Sequence, residues 1–159
     1  SESPSHYERV LIVSGDKDFI QLQKYRFVAQ YSPTQKKFVN GINPDVYIKE
    51  HILKGDRSDG VPNFLSPDNT FVDELRQRPI SKKKLATWID LEPEDFCNEN
   101  MLRNYQRNRT LIDLEYAPDE INEACVQAYL NSTVKDRSGL LNYFIKNKLK
   151  SHIENIGDF

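Results

Sequence analysis

Cysteine is scarce in this chain. Its two residues, Cys97 and Cys125, lie far apart, with no C-x-x-C pair and no Cys/His cluster. That pattern argues against structural zinc and fits free thiols in a reducing compartment. No apolar run approaches a membrane-spanning length and no secretory leader is visible, so the expectation is a cytoplasmic protein with no membrane partner. No internal repeat or low-complexity tract stands out. The three histidines, His6, His51 and His152, are scattered and match no catalytic motif, and they read as surface or packing residues. Charge of either sign is also nearly absent in sum: 22 Lys+Arg stand against 24 Asp+Glu, a net of −2. That total by itself argues against a polyanionic partner.

What is present points elsewhere. The 159 residues are 38% apolar and 29% charged, with eight Tyr and eight Phe, a globular composition at the polar end. A chain of this size buries roughly 70% of its unfolded surface and needs no disulfide or metal to hold a core. The charges are segregated. Over 75–89 there are five basic residues (Arg76, Arg78, Lys82, Lys83, Lys84) and no acid; over 101–112 there are three (Arg103, Arg107, Arg109) and no acid. Acids gather in places such as Asp90, Glu92, Glu94 and Asp95. A segregated chain binds a polyanion even when its total is near zero.

Residues 1–7 are polar and read as a loose tail. Val10-Leu11-Ile12-Val13 is the continuous β-branched and aliphatic run of a strand buried on both faces, as in a parallel sheet. Nothing before it supplies a parallel neighbour, so the sheet looks incomplete. Ser1 in place of Met adds to the expectation of a processed or truncated chain. A short helix is expected over 18–24, and a hairpin from 27–31 and 37–39 around Ser32-Pro33-Thr34-Gln35. Asn43-Pro44-Asp45 starts a helix that should stop at Gly55. Further helices are expected over 67–77, 81–89 with Ser81 as cap, 100–112, 119–130, around Leu140 to Ile145, and 149–156. Ile121, Ala124, Cys125, Ala128 and Tyr129 give the clearest amphipathic stripe. The order is one strand and a hairpin followed by helices: the trailing part of an α/β parallel sheet, then a mostly helical C-terminal domain.

Carboxylates mark the candidate site. Asp16 and Asp18 follow the strand directly, where open α/β sheets bind ligands. Asp56 and Asp59 lie in Gly55-Asp56-Arg57-Ser58-Asp59-Gly60, just past the helix over 43–54. An Asp after a strand is often only an N-cap, and Gly-Asp is an ordinary turn. If the two loops converge, however, each pair of like charges ~5 Å apart repels by about 3 kcal/mol at an effective dielectric of ~20. Such a cluster persists mainly where cations such as Mg²⁺, which takes oxygen ligands, neutralise it.

Val13-Ser14-Gly15-Asp16-Lys17-Asp18-Phe19, followed by Gln21-Leu22, resembles the V-S-G-D-K-D-F-x-Q-L signature of the 5′-nuclease superfamily (flap endonucleases and 5′-3′ exonucleases). Leu53-Lys54-Gly55-Asp56-Arg57-Ser58-Asp59-Gly60-Val61-Pro62 resembles its L-x-G-D-x-S-D-N-[IV]-P signature. The similarity is to the T-even phage type of ribonuclease H. It continues through Asn104-Tyr105, Leu111-Ile112-Asp113-Leu114-Glu115-Tyr116-Ala117-Pro118-Asp119 and Asp158-Phe159, so it covers nearly the whole chain. It implies a PIN-like catalytic core whose C-terminal part is 1–62, and a helical DNA-binding domain over 63–159 with a helix-hairpin-helix-like region. It implies a two-metal phosphodiesterase using Mg²⁺, with Mn²⁺ able to substitute, that removes RNA primers and flaps during DNA replication. By that resemblance Asp16, Asp18 and Asp59 are catalytic metal ligands, direct or through water, and Asp56 an outer-shell one. The implied substrates are DNA duplexes, RNA–DNA hybrids and 5′ flaps, in a host cell's cytoplasm for a phage protein. A single-stranded DNA-binding protein and a sliding clamp are implied partner candidates.

The chain departs from the pattern in three places. The family's first-metal carboxylates and its phosphate-gripping Lys and Arg lie before the matched segment, and Glu2 and Glu8 do not replace them. The polypeptide alone is therefore expected to be catalytically incomplete, needing the N-terminal half of the same nuclease. The region after the second signature reads Arg78-Pro79-Ile80-Ser81-Lys82-Lys83-Lys84-Leu85-Ala86, without the usual G-x-G-x-K-T-A, which puts a monovalent-cation site there in doubt. Gly60 stands where Asn is commoner, a change confined to a turn. Ser81, Lys82, Lys83 and Lys84 at a helix start, with Arg57, are the candidate duplex-phosphate contacts. Arg103 and Arg107, four apart on one face, either extend that track or pair with acids such as Glu99. Trp88, Tyr105 and Phe144 read as core. The alternatives to an enzyme half are a non-catalytic duplex-binding module and one chain of a split or cleaved nuclease.

Overall fold

The computed structural model describes residues 9–132 and 137–158; the N-terminal tail, with Glu2 and Glu8, and Phe159 lie outside them. Strand β1 (Val10–Val13) pairs in parallel with β2 (Val28–Ser32), in register from Val10↔Val28 to Val13↔Tyr31. A 3-10 turn, Lys17–Lys24, makes the crossover where a short helix is expected. Strand β3 (Lys37–Phe38) returns antiparallel to β2, as the hairpin signal predicts. One expectation for β1 fails: the strand is not buried on both faces, with Val10, Leu11 and Val13 42%, 55% and 61% exposed. Its parallel neighbour, β2, follows it in the chain. The sheet order β1-β2-β3 leaves β1 on an edge with nothing covering it among the described residues.

Helix α1 (Pro44–Lys54) begins and ends where the sequence places it. Asn43 caps it by accepting from the Asp45 and Val46 amides, and Gly55, at φ +68°, ends it. Helices α2 (Lys82–Ile89), α3 (Pro93–Phe96) and α4 (Glu99–Ile112) follow. Ser81 caps α2 by accepting from the Lys84 amide. Ile52 and Leu53 of α1, Val61, Phe64, Leu85 of α2, and Tyr105 and Ile112 of α4 form the core. Phe64 is fully buried, edge-on to Trp88 at 5.2 Å and to Phe96 at 6.1 Å, while Trp88 and Phe96 stack at 5.5 Å.

No helix forms over 67–77. Overlapping turns run there instead, and Glu74 adopts φ +53°, which reverses the chain after little more than one helical turn. Polar side chains bind the backbone in place of helix bonds. Asn63 donates to the Arg78 carbonyl (2.8 Å) and accepts from the Leu65 amide and Ser66 Oγ, and Ser66 Oγ accepts from the Arg78 amide. Helix α4 closes this loop from outside. Asn104 donates to the Phe64 and Ser66 carbonyls, and Asn108 to those of Ile52 (2.8 Å) and Pro62 (2.9 Å).

Two compact units divide the described chain, one ending at Ala117 and one beginning at Pro118. The second holds α5 (Asp119–Leu130), α6 (Leu140–Lys146) and α7 (Lys150–Glu154). Phe144 is buried within it, while no residue of α5 is, although its stripe is the clearest in the sequence. Both cysteines are free: Cys125 is exposed and Cys97 half-buried. Burial, with the Glu94 charge, pushes the Cys97 thiol up to about 11. At pH 8 its thiolate is then roughly one part in a thousand. Titration with a disulfide reagent at pH 8 is expected to consume the exposed Cys125 promptly and Cys97 much more slowly; equal rates would contradict this packing.

Candidate metal centre

The turn after β1 is built before it is charged. Gln30, buried at the centre of β2, donates to the Ser14 (3.0 Å) and Asp16 (2.6 Å) carbonyls and accepts from Gln23 Nε2 (3.1 Å). Asp16 Oδ1 accepts from the Asp18 amide at 3.0 Å, so the N-cap reading holds for that oxygen. Gln21 ties the same 3-10 turn to the end of α4, donating to the Ile112 carbonyl and accepting from the Leu114 amide.

The second loop is held as firmly. Asp56 bridges to Val61 as an isolated antiparallel pair, and Gly60 takes φ +76°, a left-handed position open to Gly or Asn. Both oxygens of Asp56 are engaged. Oδ1 accepts from the Ser58 amide (2.8 Å), Ser58 Oγ and the Asp59 amide (3.3 Å), and Oδ2 contacts His51 Nε2 at 3.0 Å. These bonds, the Ser58 hydroxyl first, hold its carboxyl below the usual range. Asp59's carboxylate accepts no hydrogen bond among the described residues.

The structure brings Asp16, Asp18, Asp56 and Asp59 around one open cleft of about 530 Å³, with Glu50, Tyr47, Lys17 and Lys54 on its walls. Glu50 is paired with Lys54. Burial raises the Asp18 carboxyl above its ordinary value, and the Asp16, Asp56 and Asp59 charges raise it further against the opposing effect of His51. Burial, with the charges of Asp18, Asp56, Asp16 and Glu50, raises Tyr47, keeping it a phenol. The accumulated charge and the uncommitted oxygens of Asp16, Asp18 and Asp59 fit a divalent cation.

His51, expected among surface or packing residues, packs against Tyr47 and also lines the cleft. It sits in the last turn of α1, with Asp18, His51 and Asp56 each offering a donor atom within 4.8 Å of the others. Its spacing of five from Asp56, across a glycine that turns the chain back, is the signal that could have revealed it.

The basic candidates lie outside the cleft. Lys82, Lys83 and Lys84 are exposed on α2. Arg57 lies over the Phe71 ring at 6.0 Å. Arg103 and Arg107 pair with an acid, Asp68 rather than Glu99, and hold its carboxyl low. Arg107 also donates to the Pro62 carbonyl (2.9 Å) and to Asn108 Oδ1 (2.9 Å).

The profile of the family described as "T4 RNase H, C terminal" matches residues 42–159, so the chain belongs to that family. It is 32% identical over 158 residues to the Ribonuclease H of Enterobacteria phage T4, covering 95% of this chain and 52% of that protein. The chain thus spans about half the length of that relative.

Proposed function

We propose that this chain is the C-terminal half of a Mg²⁺-dependent 5′-nuclease that hydrolyses phosphodiesters of RNA–DNA hybrids, DNA duplexes and 5′ flaps during replication. The observation that carries the reading is the cleft where two loops bring Asp16, Asp18, Asp56 and Asp59 together. Asp16, Asp18 and Asp59 are the proposed ligands. A pair of divalent cations bound there and in the remaining half would supply a hydroxide nucleophile and neutralise charge on the phosphate. Asp56 acts indirectly: with both oxygens engaged, it sets the loop that carries Asp59. Tyr47, held as a phenol, is available to donate a hydrogen bond to a phosphate oxygen.

The proposed division of labour is a catalytic part over 1–62 and a duplex-gripping part over 63–159. Ser81, Lys82, Lys83, Lys84 and Arg57 contact phosphate, with α2 and α3 as the helix-hairpin-helix-like element. Arg107 and Arg103 act by holding the loop that joins the parts, since their guanidinium groups meet Asp68 and, for Arg107, loop carbonyls. The bare apolar edge of β1 favours a second element of the reading: the N-terminal half of the nuclease docks there and completes the sheet. The replication partners proposed are a single-stranded DNA-binding protein and a sliding clamp.

The test is Mg²⁺-dependent cleavage of a 5′-end-labelled flap or RNA–DNA duplex, with a parallel binding assay. The expected result for the 159-residue chain alone is duplex binding without cleavage. Replacing Lys82, Lys83 and Lys84 by Ala should flatten the slope of log K against log salt by up to about 2.7, ~0.9 for each phosphate no longer neutralised. Cleavage by the chain alone, abolished in Asp59→Asn, would show that its carboxylates suffice. Absence of duplex binding would remove the grip from the reading.

A further inference from the structure

We propose that His51 is a metal ligand through Nδ1, sharing a cation with Asp18 while Asp56 orients the ring, so that a cleft served by Mg²⁺ binds Mn²⁺ more tightly. The proposal rests on the metal-dependent reading above and adds a nitrogen donor to it.

The ring's protonation pattern follows from its neighbours. A carboxylate only accepts hydrogen bonds, so at 3.0 Å from Asp56 Oδ2 it is Nε2 of His51 that carries the proton. Nδ1 is a buried side-chain polar atom with no hydrogen-bond partner among the described residues, and in the neutral ring it is the atom whose lone pair a cation would take. Leaving a buried acceptor unsatisfied is unfavourable and calls for a missing partner. The nearest charged atom, Asp18 Oδ1, lies 3.8 Å from Nδ1. That is too long for a hydrogen bond. Two donors of one cation at bond lengths of about 2.1 Å lie ~3.0 Å apart in adjacent octahedral positions, so a cation taken between Nδ1 and Oδ1 would draw them together by a little under ~1 Å.

The arrangement matches a recurrent device in metal sites, in which a ligating imidazole donates its other N–H to a carboxylate that fixes tautomer and ring orientation. Asp56 is suited to that task because hydrogen bonds from the Ser58–Asp59 turn hold it from the far side. Tyr47 packs against the imidazole at 5.6 Å and restricts its rotation. A nitrogen donor changes which ion is favoured. Mg²⁺ binds oxygen and dehydrates reluctantly; Mn²⁺ shares its carboxylate and water ligands but, as a first-row transition ion, tolerates one imidazole nitrogen among them better.

The experiment is Mn²⁺ binding to the 159-residue chain, read by calorimetry against Mg²⁺ and by pulsed electron paramagnetic resonance for ¹⁴N coupled to Mn²⁺. The expected result is direct ¹⁴N coupling in the wild type. It is absent in His51→Gln, whose Mn²⁺ affinity falls roughly 10-fold or more and whose Mg²⁺ affinity changes less than about threefold. Trp88 fluorescence checks that the variant is folded. If it is not, the double variant His6→Gln, His152→Gln, which leaves His51 as the single histidine, must keep the coupling. Mn²⁺ bound without ¹⁴N coupling, or coupling retained in a folded His51→Gln, overturns the histidine ligand and leaves the metal-dependent reading standing. Failure of both cations to bind overturns the two together.

Discussion

Gly55→Ala is expected to destabilise the unit ending at Ala117 by at least ~3 kcal/mol, measured by urea unfolding followed through Trp88, the single tryptophan. Two causes add. Gly55 sits at φ +68°, ψ 178°, a region that L side chains essentially never occupy. A Cβ there would also lie 2.6 Å from the Pro62 carbonyl carbon and 2.7 Å from its oxygen. That carbonyl cannot retreat freely, because Asn108 and Arg107 both donate to it at 2.9 Å. The close approach is what folds the Asp56 loop back from α1. Gly60→Asn is the matched control: φ is +76°, but no atom lies within 4 Å of a Cβ, and Asn tolerates the left-handed region. Its cost should stay under about 1 kcal/mol. Equal effects of the two substitutions would mean that the Gly55–Pro62 contact does not constrain the loop.

Asn108→Ala is expected to cost about 3 kcal/mol in the same measurement. The side chain is fully buried in α4 and serves three partners: the Ile52 and Pro62 carbonyls and Arg107 Nε. Truncation leaves all three short of a hydrogen bond, and the Ile52 and Pro62 carbonyls flank the carboxylate loop on both sides. A loss below ~1 kcal/mol would mean that water or relaxation replaces the amide readily.

The contrast between what could and could not be read from the sequence follows interaction range. Helix α1 was legible at both ends because Asn43, Pro44 and Gly55 act on their own backbone. The same holds for Ser81 at α2. The segment over 67–77 was misread as a helix because its conformation depends on Asn63, Ser66 and Arg78 bonding across a dozen residues. The four-residue run of β1 marked a strand but could not reveal its place on the edge, which depends on the return of β2 beside it. At the site, motif spacing pointed to Asp16, Asp18, Asp56 and Asp59, and the structure gathers them at one cleft. Gln30 escapes notice and His51 reads only as a surface or packing residue, since an isolated amide in a strand and an isolated imidazole in a helix carry no pattern. For Arg107 the sequence leaves a phosphate contact and an acid pair equally open, because a helical face displays charge without showing the acid and the loop carbonyls that meet it.

Gln30 has a consequence for how the fold checks itself. Its amide on β2 bonds the two carbonyls that shape the Asp16 turn at the end of β1. A slip of the parallel pair by two residues, the smallest that keeps each side chain on its own face, would carry that amide ~7 Å along the strand. Both bonds would break, and the Asp16–Asp18 turn would lose its anchor. Correct strand alignment is therefore a precondition for assembling the carboxylates: a misaligned chain could keep a sheet but would not present the site.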